Sequence, residues 1–349
     1  MRRRSPRMLS KASLISAERK VEVKSVGGRK GSTVAFLNRK QKSRICIVRN
    51  VGGIGDILMI TPSLRELKKR FPLSEITFAV DRHTTNGDHY YQLVKNAPFL
   101  DNIIDARYVN RDLYDHVMDI SAVCIPYERT DLPARNRIDL FAEHLGITSF
   151  ANKTPFLELT SEEILSAKKE LGTFVSDDCK LVMLSVGSME GKRSWSQDKD
   201  EKWPNLVKAI RSQKPNIKFI LNDFMNRAPS LKSKDYIYNV ETTSVRELAA
   251  YMSLCDHFVG PDSGPMHIAG ALGVPSTVMF GSIPPEARIN YYPTHISVST
   301  ETLPCIGCWY KACPYNVKCM KDLKASRVAS LINRSLSGRK DDKTIHLHM

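Results

Sequence analysis

Two turns hold the residues that could do chemistry. The first, Asn50-Val51-Gly52-Gly53-Ile54-Gly55-Asp56, is glycine-rich and ends on a carboxylate. Gly53 and Gly55 let its backbone come close to another group. Asp56 then has two readings. It is a proton acceptor at the end of a strand, or the cap of the helix that follows. The second turn is Gly260-Pro261-Asp262-Ser263-Gly264-Pro265-Met266-His267. Amides at the start of a helix make an anion site, so a phosphate-bearing ligand is expected across Asp262, Ser263, Gly264, Pro265, Met266 and His267. His267 lies about one helical turn after Ser263 and faces the same way. It reads as a ligand contact or as a packed helix residue. A third polar stretch, Gly187 to Trp195, offers cations at Lys192 and Arg193, with Lys202 before Trp203-Pro204 as a second candidate. A solvated loop charge is the plain alternative for each lysine, and the expected state of Lys199. Thr61 and Ser188 are weaker candidates.

These turns need strands to deliver them and helices to follow. Arg44 to Arg49 is a short apolar run that reads as a buried strand. From Ile57 the apolar positions Ile60, Leu64, Leu67 and Phe71 recur at helical spacing, with Pro62 expected near the first turn, where proline is tolerated. Strands are expected over 76–80, 103–104 and 117–120, and helices over 90–94, 137–145 and 161–171. The last of these would be capped by Thr160 or Ser161 and stopped by Gly172. A second series starts at Lys180, with strands over 181–186 and 217–221, and helices from 206 and over 245–254. Phe258-Val259 then feeds the Asp262 turn, a helix ending at Gly273-Val274-Pro275, and a buried strand over 276–280. Alternating strands and helices predict α/β folding in two doubly wound domains that face each other. The predicted boundaries are an arm over 1–43, a first domain over 44–175, a second over 176–322 and a helix with tail over 323–349. The linker falls near 172–178.

Composition bounds the rest. The chain has 349 residues, 42% of them apolar, which suits a folded protein of two domains. No apolar run is long enough to span a bilayer, and no signal-peptide stretch follows the basic start. Cytoplasmic residence, peripheral at a membrane face, is the expectation. The formal charge is +15, of which residues 1–43 carry +11. Such an arm reads as disordered. It would be drawn to an anionic membrane or to nucleic acid, or be a solvated tail.

Of eight cysteines, Cys46, Cys124, Cys179 and Cys255 sit beside apolar residues and read as small core side chains. The other four form the pattern Cys305-x2-Cys308-x4-Cys313-x5-Cys319. That spacing is compatible with a structural zinc knuckle, which in a cytosolic protein is more natural than two disulfides.

The motifs also resemble a known family. Arg49 to Leu58 with Thr61 to Lys68, and Gly260 to Ala269 with Leu272 to Pro275 and Phe280-Gly281, are similar to the two ends of the ADP-heptose–lipopolysaccharide heptosyltransferases, glycosyltransferase family nine. Tyr114 to Asp119 and Ser244 to Ala249 also fit, so the likeness runs from about Arg44 to about Ile332. It implies the GT-B architecture, two Rossmann-like domains with a cleft between them. It further implies metal-independent transfer of a sugar from a nucleotide-diphosphate donor to a glycan or glycolipid hydroxyl, with no cofactor required for catalysis. Asp56 would be the base. Lys192 or Arg193 and the amides of Ser263 to Met266 would hold the diphosphate, and Asp262 the sugar hydroxyls. Two other readings are a transferase acting on an acceptor such as nucleic acid, and a non-catalytic nucleotide-sugar-binding protein. With the base on one wall and the diphosphate site on the other, closing of the two domains is expected in the cycle.

Overall fold

The computed structural model of the chain describes residues 41–337 apart from 84–86, 130, 177, 196–200, 242–243, 301–302, 304 and 310–311. Most of the basic arm, and Lys199, therefore lie outside the described residues.

The apolar run at Arg44–Arg49 is β1, the centre of a parallel sheet ordered β3-β2-β1-β4, with β2 at Glu75–Val80, β3 at Asn102–Asp105 and β4 at His116–Asp119. Helices α1 (Ile54–Arg70), α2 (Gly87–Val94), α3 (Arg137–His144) and α4 (Ser161–Leu171) accompany it. Thr160 caps α4, and Glu163 returns the bond to its backbone. The second sheet is also parallel, ordered β10-β9-β8-β5-β6-β7. Its strands are β5 (Lys180–Ser185), β6 (Ile217–Asn222), β7 (Ile237–Asn239), β8 (His257–Pro261), β9 (Ser276–Met279) and β10 (His295–Val298). Its helices are α5 (Lys202–Arg211), α6 (Val245–Ser253), α7 (Gly264–Leu272), α8 (Lys318–Lys321) and α9 (Ala325–Leu336). β7 and β10 were not expected; both are short, three and four residues, and pair only at the sheet edges.

Both sheets reverse direction beside their first strand, between β1 and β4 and between β5 and β8. Crevices at the carboxyl ends of such strands are where ligands sit in open α/β sheets. The Asp56 turn leaves β1 and the Asp262 turn leaves β8, so each candidate turn lies at a switch point.

Pro62 is not near a helix start. α1 begins at Ile54, which puts Pro62 in the helix interior, where its ring removes one backbone bond. The Leu58 carbonyl left over accepts instead from the Thr61 hydroxyl at 2.6 Å, and the same hydroxyl accepts from the Phe156 amide at 2.7 Å. Thr61 is thus committed to holding the helix.

The second sheet is covered on both faces. Val182, Leu184, Phe219 and Val259 pack with Trp195, Trp203 and the apolar sides of α5 and α9. Leu181, Met183, Ile220 and Phe258 belong to another cluster, which also takes in Ala249, Met266, Ile268, Ile57, Leu64, Phe78 and Phe141. One apolar core therefore runs through both sheets. Arg246 of α6 reinforces it: its guanidinium pairs with Glu163 of α4 and donates to the carbonyls of Gln92 (3.0 Å) and Glu158 (2.7 Å). The two halves meet through packed side chains, so the expected cleft is closed at this junction.

Cys46, Cys124 and Cys255 are buried as expected, while Cys179 is only partly covered, because it stands just ahead of β5 rather than in it.

Candidate active site

Asp56 is the third residue of α1 and is buried. One carboxylate oxygen accepts from the Gly53 amide at 2.9 Å, so the capping reading describes part of what it does. The other oxygen faces two guanidiniums. Arg137, the first residue of α3, bonds to it directly, and Arg49, the last residue of β1, lies at 3.4 Å. Burial alone would raise the pKa of this acid, but Arg137, Arg49 and the Gly53 amide outweigh it and hold the carboxyl far below the usual range. Arg137 also pairs with Glu128. Arg49 is anchored from behind by the carbonyls of Ile120 (2.8 Å) and Ser121 (2.7 Å).

Asp262 follows β8 and is 2% exposed. Among the described residues neither of its oxygens has a hydrogen-bond donor. The nearest cations stand off at ion-pair distance, Arg193 Nη1 at 3.4 Å and Arg288 Nε at 3.9 Å. Burial opposes the charge, and Arg193, Arg288, His267 and Arg137 together lower the pKa despite it. The carboxylate is thus ionised with its lone pairs unused.

Between Lys192 and Arg193, it is Arg193 that reaches Asp262. Lys192 sits 3.4 Å from Glu190, which also holds Arg193 at 2.5 Å. Lys202 is placed elsewhere, donating to the carbonyls of Met320 (2.9 Å) and Lys321 (2.6 Å), where it ties α5 to α8. Ser188 closes its own loop by accepting from and donating to Ser194.

The two turns touch. A methyl on Gly55 would overlap the His267 ring, and one on Gly264 would lie 3.2 Å from Ile54. Glycine is therefore required at 55 for close approach, not for turn conformation, and the contact at Gly264 is tight. His267 is buried and its Nδ1 shares a hydrogen bond of 2.6 Å with the Tyr292 hydroxyl. Burial pushes its pKa down to about 3 against the pull of Asp262, so the ring is neutral at pH 7. It is a packed residue that joins both turns. The amide supply of α7 is smaller than expected. Pro265 has no N–H, and the Met266 amide donates to the Ser263 carbonyl at 3.2 Å. This leaves the Ser263 and Gly264 amides without a hydrogen-bond acceptor among the described residues.

Three arginines that the sequence reading missed, Arg49, Arg137 and Arg288, complete the charge array. Each comes from a different segment, and their only local signals are an arginine ending β1, an Asn-Arg pair opening α3 and the Pro-Glu-Ala-Arg turn after β9.

Near the C-terminus, Cys308 and Cys319 are buried and Cys305 and Cys313 partly so, all as free thiols. Burial and the neighbouring cysteines push Cys319 up to about 11. Among the described residues no three Cys, His, Asp or Glu side chains converge as metal ligands.

The sequence model of glycosyltransferase family 9 (heptosyltransferase) matches residues 135–318, more than half of the chain. The chain belongs to this family. The lipopolysaccharide heptosyltransferase 1 of Campylobacter coli is 25% identical over 320 residues, covering 74% of this chain and 89% of the relative. Among solved structures, a family 9 glycosyltransferase from Veillonella parvula superposes with a TM-score of 0.66 at 20% identity, covering 84% of this chain and 97% of that one. The E. coli ADP-heptose LPS heptosyltransferase II superposes with a TM-score of 0.56 at 14% identity, covering 84% and 98%. The architecture is GT-B, and the chain is a glycosyltransferase. Among the described residues no helix is long and apolar enough to cross a membrane.

Proposed function

We propose that this family member moves a heptose from ADP-heptose to a hydroxyl of a lipopolysaccharide-type glycan, without a catalytic metal. The observation that carries the reading is the buried Asp262 carboxylate, ionised and without a hydrogen-bond donor among the described residues, beside the start of α7. Such an acid is matched by the hydroxyls of a sugar, which donate and need an acceptor-only partner. The names of the relatives supply the heptose, the ADP and the glycan.

In this reading the acceptor oxygen attacks the anomeric carbon and gives its proton to Asp56. The bond from that carbon to the diphosphate oxygen breaks, and its electron pair leaves with ADP. Charge develops on the leaving phosphate, and fixed positive groups lower that barrier. Arg193, Lys192 and the Ser263 and Gly264 amides are the groups at hand. Asp56 is acceptor-only while Arg137 holds it, so an incoming hydroxyl must share or displace that guanidinium before the carboxylate can take a proton. An open pocket of about 580 Å³, lined by Asp119, Ser121, Tyr127, Leu140 and Glu143, lies at the end of β4, the strand that pairs with β1.

The test is calorimetric binding of ADP-heptose against UDP- and GDP-sugars, with mass spectrometry of the product formed on a lipopolysaccharide core acceptor. Asp56→Asn is expected to lower transfer at least about 100-fold, the usual scale for a lost general base, with ADP-heptose binding within about threefold of wild type. Near-normal turnover in that variant would sink the base assignment, and tighter binding of another nucleotide sugar would overturn the donor.

A further inference from the structure

Arg288 stands in an unusual position. Its side chain is 3% exposed, it follows the Pro285–Ala287 turn after β9, and its Nε is 3.9 Å from Asp262. That is close enough to act by charge and too far to occupy a lone pair. Its one hydrogen bond within the described residues is weak, from Nη1 to the Ala287 carbonyl at 3.3 Å. What seats it is an aromatic face: its guanidinium carbon lies 5.3 Å from the ring centre of Trp309.

Trp309 belongs to the cysteine-rich segment, directly after Cys308. Its backbone has φ +56°, an outlier for a bulky side chain. The chain is pinned there by two bonds of 2.8 Å, Gly307 N–H to the Gly281 carbonyl and Trp309 N–H to the Ser282 carbonyl. A methyl on Gly281 would lie 2.8 Å from Cys319 Sγ, so that turn is also packed from the far end of the segment. Strain of this kind persists only where the surroundings enforce it and is a pointer to function.

We infer that Arg288, held under the Trp309 indole, is a positioning residue that keeps Asp262 charged with both oxygens open to the sugar, and that the cysteine-rich segment thereby serves the donor site. The inference rests on the donor reading above. The groups facing Asp262 are Arg193 from the loop after β5, Arg288 from the turn after β9, His267 of α7 and Arg137 of α3. His267 is neutral at pH 7. Arg137 bonds to Asp56 and Glu128, and Arg193 is shared with Glu190. Arg288 forms no ion pair with another carboxylate among the described residues. It stays charged at neutral pH, since burial and the neighbouring Arg137 bring its pKa down only to about 10. Without it, burial is opposed chiefly by Arg193, which Glu190 shares, and Asp262 moves toward the protonated acid, which donates where the sugar needs an acceptor.

The experiment compares ADP-heptose with ADP, which lacks the sugar, by calorimetry at pH 6 and pH 8. Four variants are used: Arg288→Gln, Arg288→Lys, Trp309→Ala and Trp309→Phe. Wild type should bind ADP-heptose equally at both pH values. Arg288→Gln should lose about tenfold or more at pH 6 relative to pH 8, with ADP affinity unchanged and with Arg288→Lys restoring the flat profile. Trp309→Ala should show the same pH dependence more weakly, and Trp309→Phe should not. A flat profile in Arg288→Gln, or an equal loss for ADP, would overturn the inference. Failure of wild type to bind ADP-heptose would instead overturn the donor reading on which it stands.

Discussion

Replacing Arg137 with methionine tests how Asp56 is held. The variant keeps the stem volume and removes a charge that bonds directly to a buried carboxylate. Breaking a buried pair from one side costs about 3–5 kcal/mol. Here the lower end applies, because Arg49 remains 3.4 Å away and Gly53 still donates. About 3 kcal/mol corresponds to a fall in Tm of roughly 4–5 °C for a chain of this size. The pH dependence is the sharper test. A carboxyl whose pKa is lowered on folding adds stability that is full above the unfolded pKa and is lost as pH falls through the folded one. Burial, overcome by Arg137 and Arg49, leaves the folded pKa of Asp56 far below the unfolded value of about 3.9. Between pH 7 and pH 3 this group alone should then cost wild type about 1.3 kcal/mol by linkage. In Arg137→Met, burial and Arg49 oppose each other and most of that term disappears. Carboxyls away from Arg137 titrate alike in both proteins and cancel, and Glu128, which Arg137 also pairs, is taken out of the comparison by making both measurements in a Glu128→Gln background. The stability gap, measured by urea unfolding, should therefore narrow by about 1 kcal/mol from pH 7 to pH 3. An equal gap at the two pH values would refute the assignment of the Arg137–Asp56 pair.

Two further outcomes follow from contacts already described. Gly55→Ala should gain up to about 1 kcal/mol of helix preference but lose about 1–3 kcal/mol to the overlap with His267; thermal unfolding should show net destabilisation, and a rise in Tm would show that the two turns do not touch. Lys202→Met should destabilise by about 1–3 kcal/mol, since the Met320 and Lys321 carbonyls lose their donor, while ADP affinity stays the same. A loss of ADP affinity without a loss of stability would instead put Lys202 in the diphosphate site.

The local units were legible in the sequence because each follows from a short-range rule. The apolar run of β1, the glycine turn after it and the 3.6-residue pattern of α1 announce a strand, a turn and a helix in register. Asp56 and Asp262 could be singled out because each sits on such a turn. The partners of those acids could not, because they are brought in by tertiary packing: Arg137 is 81 residues from Asp56 in the chain. The choice among the basic residues failed for a related reason. Lys192, Arg193 and Lys202 all precede a tryptophan, and only packing shows that Arg193 turns to Asp262 while Lys202 turns to α8. Pro62 was misplaced because nothing local shows that the helix starts at Ile54, ahead of its first clear apolar period.

The core shared by the two sheets bears on how this family can diversify. The two halves look like modules, yet here one apolar core runs through both. Arg246 of the second half satisfies Glu163 and two carbonyls of the first, and His267 fits only against a residue without a side chain. A chimera that took one half from a relative would bury an unpaired arginine or force two backbones apart unless the matching residues travelled with it. New acceptors are thus more easily reached by changing single loops, such as the one between β3 and β4, than by exchanging whole halves.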